Sequence, residues 1–283
     1  MPQTDPETRM KGYLKKIAAG PRLSKDLTEE EAEDALALIL DEKVSKIRAG
    51  VFLIAARMKL ETVPENIGYW RALQSRVSPA TVDLDQLLQI ADPFDGFERL
   101  PYFGFYAIPV IAQLGLAVYG HSSLPLPPKF GITFEEILQN HYKVGDGKAD
   151  RPLLEKHRFG YLSTRDTLPQ LEVLRSLRIE IVKRPMLATL EKILMPLKAR
   201  KNILATTYFH RGYEVALTEI GKLSQFDKVI IGNGMEGTTL FGVKETKLFI
   251  QDNNGEAEQA SLSLKTLYDK ETAQRIAKAQ EEL

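Results

Sequence analysis

The chain has 283 residues, no cysteine, and 38 basic against 38 acidic side chains. Those counts exclude disulfides and thiolate metal sites, leave net charge silent about partners, and supply ample apolar content for a core, 43%. The opening MPQTDPETRMKGYLKK has no apolar run behind its charges, and the stretch Ala107 to Tyr119 is broken by Pro109, Gln113 and Gly115, so neither signal peptide nor membrane span is expected and the cytoplasm is the expected compartment.

In chain order, the first third reads as helical. Leu14, Ile17 and Ala18 give a short amphipathic stretch ended by Gly20-Pro21. Thr28 with Glu31 forms a capping box opening Glu29 to Leu40. Ser45 caps a helix with Ala49, Phe52, Leu53 and Ala56 at helical spacing, and Thr62 precedes Pro64 before a helix through Ile67 to Leu73. Beyond Val77 the pattern changes. Leu84 to Ile90 is a compact apolar run entering the turn cluster Asp92-Pro93-Phe94-Asp95-Gly96. Tyr106 to Leu114 reads as a helix ended by Gly115, and Leu116 to Tyr119 as a buried strand.

Leu124 to Pro128 reads as a loop, a second capping box (Thr133, Glu136) opens Phe134 to Leu138, and Lys143 to Arg151 is a loop or hinge. Leu168 to Leu177 and Ala188 to Met195 read as helices, the second stopped by Pro196. Ile203 to Thr207 and Val229 to Ile231 read as strands with a helix, Val215 to Leu223, between them. Phe241 to Val243 and Lys247 to Gln251 are expected edge strands around the Asn253-Asn254-Gly255 turn, and Lys270 to Leu283 a polar helix. The expected fold class is α/β: a small N-terminal all-α domain over 1–76, then a larger α/β domain over 77–283 with a central mixed sheet flanked by helices. Residues 130–180 are available to contribute helices and a hinge to the helical domain.

Charge is unevenly spread. Ser24 to Glu42 is acidic, whereas Arg178 to Arg211 carries eight basic residues against Glu180 and Glu191. Lys183, Arg184 and Lys192 fall on or beside the helix entered at Ala188. Lys198, Arg200, Lys201, His210 and Arg211 flank the strand that follows. Such residues either form one phosphate-binding face or serve as a solvated surface. His121, His141, His157 and His210 show no metal-ligand spacing, so no metal and no cofactor are expected. His210 follows a predicted strand, where α/β proteins place ligand groups. Tyr102, Phe103, Phe105 and Tyr106 are expected in the core, with base stacking the alternative.

The run LTEEEAEDALALILDEKVSKIRAGVFLIAARMKLETVPE, Leu27 to Glu65, resembles the start of the anthranilate phosphoribosyltransferase and pyrimidine-nucleoside phosphorylase superfamily, and the likeness stays collinear to about Gln251. The resemblance implies a helical domain beside an α/β domain, substrate between them, and pairing through the helical domain. It also shows what is missing. Where the family has a G-T-G-G-D loop, this chain has Ala91-Asp92-Pro93-Phe94-Asp95-Gly96. Pro93 lacks an N–H, Phe94 fills space, Asp92 repels phosphate, and only Asp95-Gly96 is retained. The family's N-x-S-T segment corresponds to Pro101-Tyr102-Phe103-Gly104. Its K-H-G-N-R element corresponds to Val118 to Ser122, with His121 outside the family's His position. Its Mg²⁺-holding D-E pair corresponds to Thr239-Leu240, after the turn Asn233 to Gly237.

Together these losses imply a chain that does not transfer phosphoribosyl groups. Arg184 to Pro196 and Asn233 to Gly237 resemble most closely the YbiB-like branch, which is associated with nucleic-acid binding; Ala188 stands where that branch has His. The expectation is a non-catalytic homodimer that binds nucleic acid through Lys183, Arg184, Lys192, Lys198, Arg200, Lys201 and Arg211. Asp92, Asp95 and Gly96 are then a degenerate phosphate loop, and His121 and His210 cleft residues. A transferase with altered substrate and rebuilt phosphate site, or a structural or regulatory docking subunit, are the alternatives.

Overall fold

The computed structural model describes residues 5–20, 22–92, 94–98, 103–141, 151–234, 236, 239, 245–253, 255–263 and 271. All but Arg151 of the expected loop Lys143 to Arg151, the strand Phe241 to Val243 and all but Glu271 of the helix Lys270 to Leu283 lie outside them.

Four capped helices open the chain. In α1 (Pro6–Ile17) Asp5 accepts from the Thr8 N–H and Pro6 sits in the first turn, an entry signal upstream of the Leu14 stretch. Thr28 and Glu31 cap α2 (Glu29–Leu40) reciprocally, and Ser45 caps α3 (Lys46–Lys59). A further capping box, Thr62 with Glu65, opens α4 (Val63–Gln74). Glu65 is fully buried and also accepts from the Leu27 N–H and the Lys59 Nζ, both within 2.9 Å. It therefore ties the start of α4 to the end of α3 and the approach to α2. α2 and α4 cross at Gly68, where a Cβ would lie 2.2 Å from the Glu29 carbonyl oxygen, so only glycine allows this approach.

The strands are β1 (Ala80–Thr81), β2 (Gln86–Ala91), β3 (Ala117–Ser122), β4 (Phe159–Ser163), β5 (Leu197–Lys198), β6 (Lys201–Tyr208), β7 (Lys228–Asn233), β8 (Thr246–Asp252) and β9 (Glu258–Leu262). β1 and β5 form a two-stranded parallel ladder. The main sheet has the order β4-β3-β2-β6-β7-β8-β9, parallel through β7 and antiparallel at β8 and β9. Side chains of β6 alternate between the two faces. Leu204 joins the core shared with the N-terminal helices, while Ile203 and Ala205 face Ile108, Val118 and Phe134. Met10, Leu36, Phe52 and Tyr69 of the helices lie in one continuous cluster with Leu217, Ile220 and Ile231 of the α/β layer.

The expected helix Leu168 to Leu177 is divided into Thr164–Thr167, Pro169–Val173 and Arg175–Ile181. Leu168, before a proline, is held at φ −150°, out of helix. Leu168, Leu171, Leu174 and Leu177 pack into the same core cluster as the N-terminal helices. The expected helix Ala188 to Met195 is shorter: Leu187–Leu190 is α-helical, Glu191–Ile193 is a 3₁₀ turn, and the chain straightens at Leu194 ahead of Pro196.

Candidate anion cleft at the switch point of the sheet

The chain runs from β2 outward through β3 to β4, while β6 and β7 lie on the other side of β2. The β2–β6 border is thus where strand order reverses, and a crevice opens outside the carboxyl ends of strands at such a point. A cleft of about 410 Å³ lies there. Asp95 from the turn after β2, Thr207 to His210 at the end of β6, Arg57 and Met58 of α3, and Lys183, Arg184 and Lys192 line it.

Its floor is charged, with Asp95 and Lys192 buried and the Arg184 side chain 38% exposed. Arg184 is paired with Asp95 through one terminal nitrogen, and the Lys129 Nζ lies 3.7 Å from the second Asp95 oxygen. Lys129 also donates to Glu236 at 3.2 Å, and Glu236 caps the Glu98 N–H at 3.0 Å. Lys192 is 4% exposed and donates to the Thr207 carbonyl at 2.5 Å. Burial pushes its ammonium down to about 8, against the pull of Asp92 and Asp95. Burial pushes Asp92 up to about 6, although Thr239 donates to it from its N–H at 2.6 Å and its hydroxyl at 2.9 Å. Burial also raises Asp95, against the nearby Arg184 and Lys129 cations. Behind the floor, Arg178 and Glu191 form a buried two-bond pair at 2.7 and 3.1 Å. On the helical side Arg57 bonds the Tyr213 hydroxyl and lies 5.4 Å from that ring's centre.

The expected site residues are divided by this arrangement. Lys183, Arg184, Lys192 and His210 line the cleft, and Arg211 is exposed next to His210. Lys198, Arg200 and Lys201 do not join them. They lie at the amino end of β6, about 23 Å from its carboxyl end at about 3.3 Å per residue. There Arg200 bonds Asp83 and Asp85, and Lys198 bonds Gln225. The single basic stripe expected from the sequence is therefore two separate groups. Lys192 is also no surface cation, being buried.

His121 is no cleft residue either: it is 2% exposed on β3, its Nε2 meets the Gln89 amide at 3.1 Å, and burial pushes it down to about 4. Phe94, 1% exposed, packs edge-on against it at 5.2 Å. Gly96 has φ +77°, and a Cβ there would meet the Gly131 carbonyl at 2.2 Å, so the retained glycine serves a backbone crossing. Of the aromatic cluster, Phe105 is in the core, stacked on Tyr161 at 4.4 Å, but Tyr106 is 44% exposed. Pro93, Tyr102, the Phe103 side chain, Met235, Gly237 and Leu240 lie outside the described residues. Lys129, Glu236, Arg57 and the Arg178–Glu191 pair were missed from the sequence. Helix caps have a short-range signal, whereas these long-range pairs have none.

Residues 11–77 match the helical bundle domain of the glycosyl transferase family. An anthranilate phosphoribosyltransferase of Rhizobium rhizogenes is 24% identical over 82% of this chain and 68% of that protein. The crystal structure of anthranilate phosphoribosyltransferase from Thermus thermophilus has the same fold, with TM-score 0.68 at 20% identity over 92% of this chain and 74% of that one. Beyond its helical bundle the chain is therefore similar in sequence to anthranilate phosphoribosyltransferases and shares their fold. An uncharacterized protein of Aquifex aeolicus is 28% identical over 75% of the chain and 64% of that protein. The uncharacterized protein YbiB of Escherichia coli is 24% identical over 80% and 69%. The chain thus spans 64% to 69% of the length of these three relatives. Among its described residues no helix is long and apolar enough to cross a membrane.

Proposed function

We propose that this protein is a non-catalytic, cytoplasmic member of its fold group, a homodimer that binds nucleic acid along the rim of the cleft. The contrast between floor and rim carries this reading. The floor cations Lys129, Arg184 and Lys192 are each held by the protein's own acceptors. On the rim, the exposed Lys183 and Arg211 make no ion pair among the described residues. Cations already paired with the protein's own acceptors have less charge to offer a bound phosphate, whereas free cations on a rim provide the sequence-independent attraction that a polyanion needs. The substitutions at Asp92, Phe94 and Thr239 support the same reading against transfer chemistry.

Binding of a fluorescent single-stranded DNA, followed by anisotropy across a salt series, tests it. The double variant Lys183→Ala/Arg211→Ala is expected to bind more weakly and to flatten the log–log salt slope by up to about 2 units. Lys198→Ala/Lys201→Ala is the control and is expected to change neither. No binding at low salt, or an unchanged slope in the first variant, sinks the proposal. Pyrophosphate release from phosphoribosyl pyrophosphate with anthranilate and Mg²⁺, above a no-enzyme control, would overturn the non-catalytic part.

The homodimer rests on α3. Ile47, Val51 and Met58 are 80%, 48% and 77% exposed, and with Ile54 they recur at four- and three-residue steps along one helix face. An apolar stripe of that kind is the surface a symmetric pair of helices covers. Val51→Glu is expected to give a monomer by light scattering where the unmodified protein gives a dimer; a monomeric parent or a dimeric variant contradicts it.

A further inference from the structure

The cleft floor carries a hydrogen-bonding imbalance that the rim reading leaves unused. Asp95 is 2% exposed, yet it engages Arg184 through one oxygen only. Its other oxygen has no hydrogen-bond partner among the described residues, and the Lys129 Nζ stands off at 3.7 Å. The Nε of Arg184 is likewise buried without a partner. A guanidinium offers a planar fork of donors, and a carboxylate that takes only one of them leaves the fork half used. Buried polar atoms in folded proteins are rarely left this way. A tetrahedral oxyanion has enough acceptors to take both the Nε and a terminal nitrogen of Arg184 while facing the Lys129 ammonium. The obstacle is electrostatic: Asp95 already supplies the negative charge between these two cations, and a second anion at the same place would be repelled.

We propose that the Asp95 carboxylate is a built-in competitor at this position, a tethered anion that keeps small oxyanions off Arg184 and Lys129 until its charge is removed. The site it guards is a small-oxyanion site of the sulfate or phosphate class. Asp92 and Glu236 add to the exclusion, since both bring carboxylates to the same floor. The rim remains open to a polyanion throughout, so this inference stands whether or not nucleic acid uses Lys183 and Arg211.

Sulfate is the suitable probe because its charge does not change near neutral pH. Isothermal titration of sodium sulfate into the unmodified protein and into Asp95→Asn compares the two states directly. Asn keeps the shape of Asp, removes the charge, and presents an N–H₂ donor to the anion. The variant is expected to bind sulfate at least tenfold more tightly, and Asp95→Asn/Arg184→Gln is expected to lose that gain. Asp95→Ser repeats the test should the Asn variant fail to show the parent's cooperative urea transition. A gain smaller than tenfold in the folded variants overturns the proposal, and so does a gain that survives Arg184→Gln.

Discussion

At its amino end β6 meets Arg200, which lies open to solvent between Asp83 and Asp85, with side chains 62%, 83% and 87% exposed. At its carboxyl end the charges are packed inside: Asp92, Asp95 and Lys192 are 2%, 2% and 4% exposed, and the Arg178–Glu191 pair sits behind them. The letters of the sequence are alike at the two ends. What differs is the cost of having a charge without its partner, small in water and several kcal/mol in the interior. Charge at the amino end is thus a surface property, and charge at the carboxyl end is part of the fold.

The largest expected effect follows from removing one member of an interior pair. Glu191→Ala leaves the Arg178 guanidinium buried without its two-bond acceptor. A loss of about 3–5 kcal/mol in urea unfolding is expected. The double replacement Arg178→Met/Glu191→Met should recover most of it, because two apolar side chains of similar volume need no partner. A double variant as unstable as the single one would show that packing, and not the orphaned charge, sets the cost.

Asp92 sharpens the comparison through pH. Burial raises it from 3.8 to about 6, so the folded protein holds this proton more tightly than the unfolded chain does. Its stabilising contribution is complete below about pH 4 and is lost as pH rises through about 6. Asp92→Asn keeps an oxygen for the two Thr239 donors and removes the charge. Relative to the parent it should therefore be about 1–3 kcal/mol more stable at about pH 7.5 and little different at about pH 4. Equal stability at both pH values would mean that Lys192 fully compensates the ionised carboxylate.

Local signals carried the helical half of the molecule. Thr28 with Glu31 marks a helix start because both partners of the cap lie within one turn, and the apolar runs at Leu84 and Leu116 mark strands that are buried on both faces. β4 and β9 escaped notice because their exposed positions interrupt any apolar run: Phe159 is 37% exposed, and Glu258 and Gln259 are exposed. The family likeness located the turn at Asp92 to Gly96, but not what the turn does. Asp95 meets Arg184 across 89 positions of sequence, and no spacing rule joins residues that far apart. The basic run misled for the opposite reason. Residues 198 and 211 are close in sequence, but an eight-residue strand between them carries the chain from one end of the sheet to the other.

The smallest expected effect belongs to Arg200, and it is the one that most directly tries the contrast between the two ends. Its guanidinium is held by two aspartates, and those bonds raise its already high proton affinity. By geometry alone this is a better-connected cation than Arg184. Water surrounds all three side chains, however, so the aspartates lose little when the cation goes and remain solvated. Arg200→Ala is therefore expected to leave the urea midpoint within measurement error, and to do so at both low and high salt. DNA affinity should also stay within about twofold, since a cation already matched by Asp83 and Asp85 adds little net attraction for a phosphate. A midpoint shift comparable to that of Glu191→Ala would mean that connectivity and not burial decides what a charge is worth in this fold. A large loss of DNA affinity would return the amino end of β6 to the binding surface and remove the reason for placing nucleic acid at the cleft rim alone.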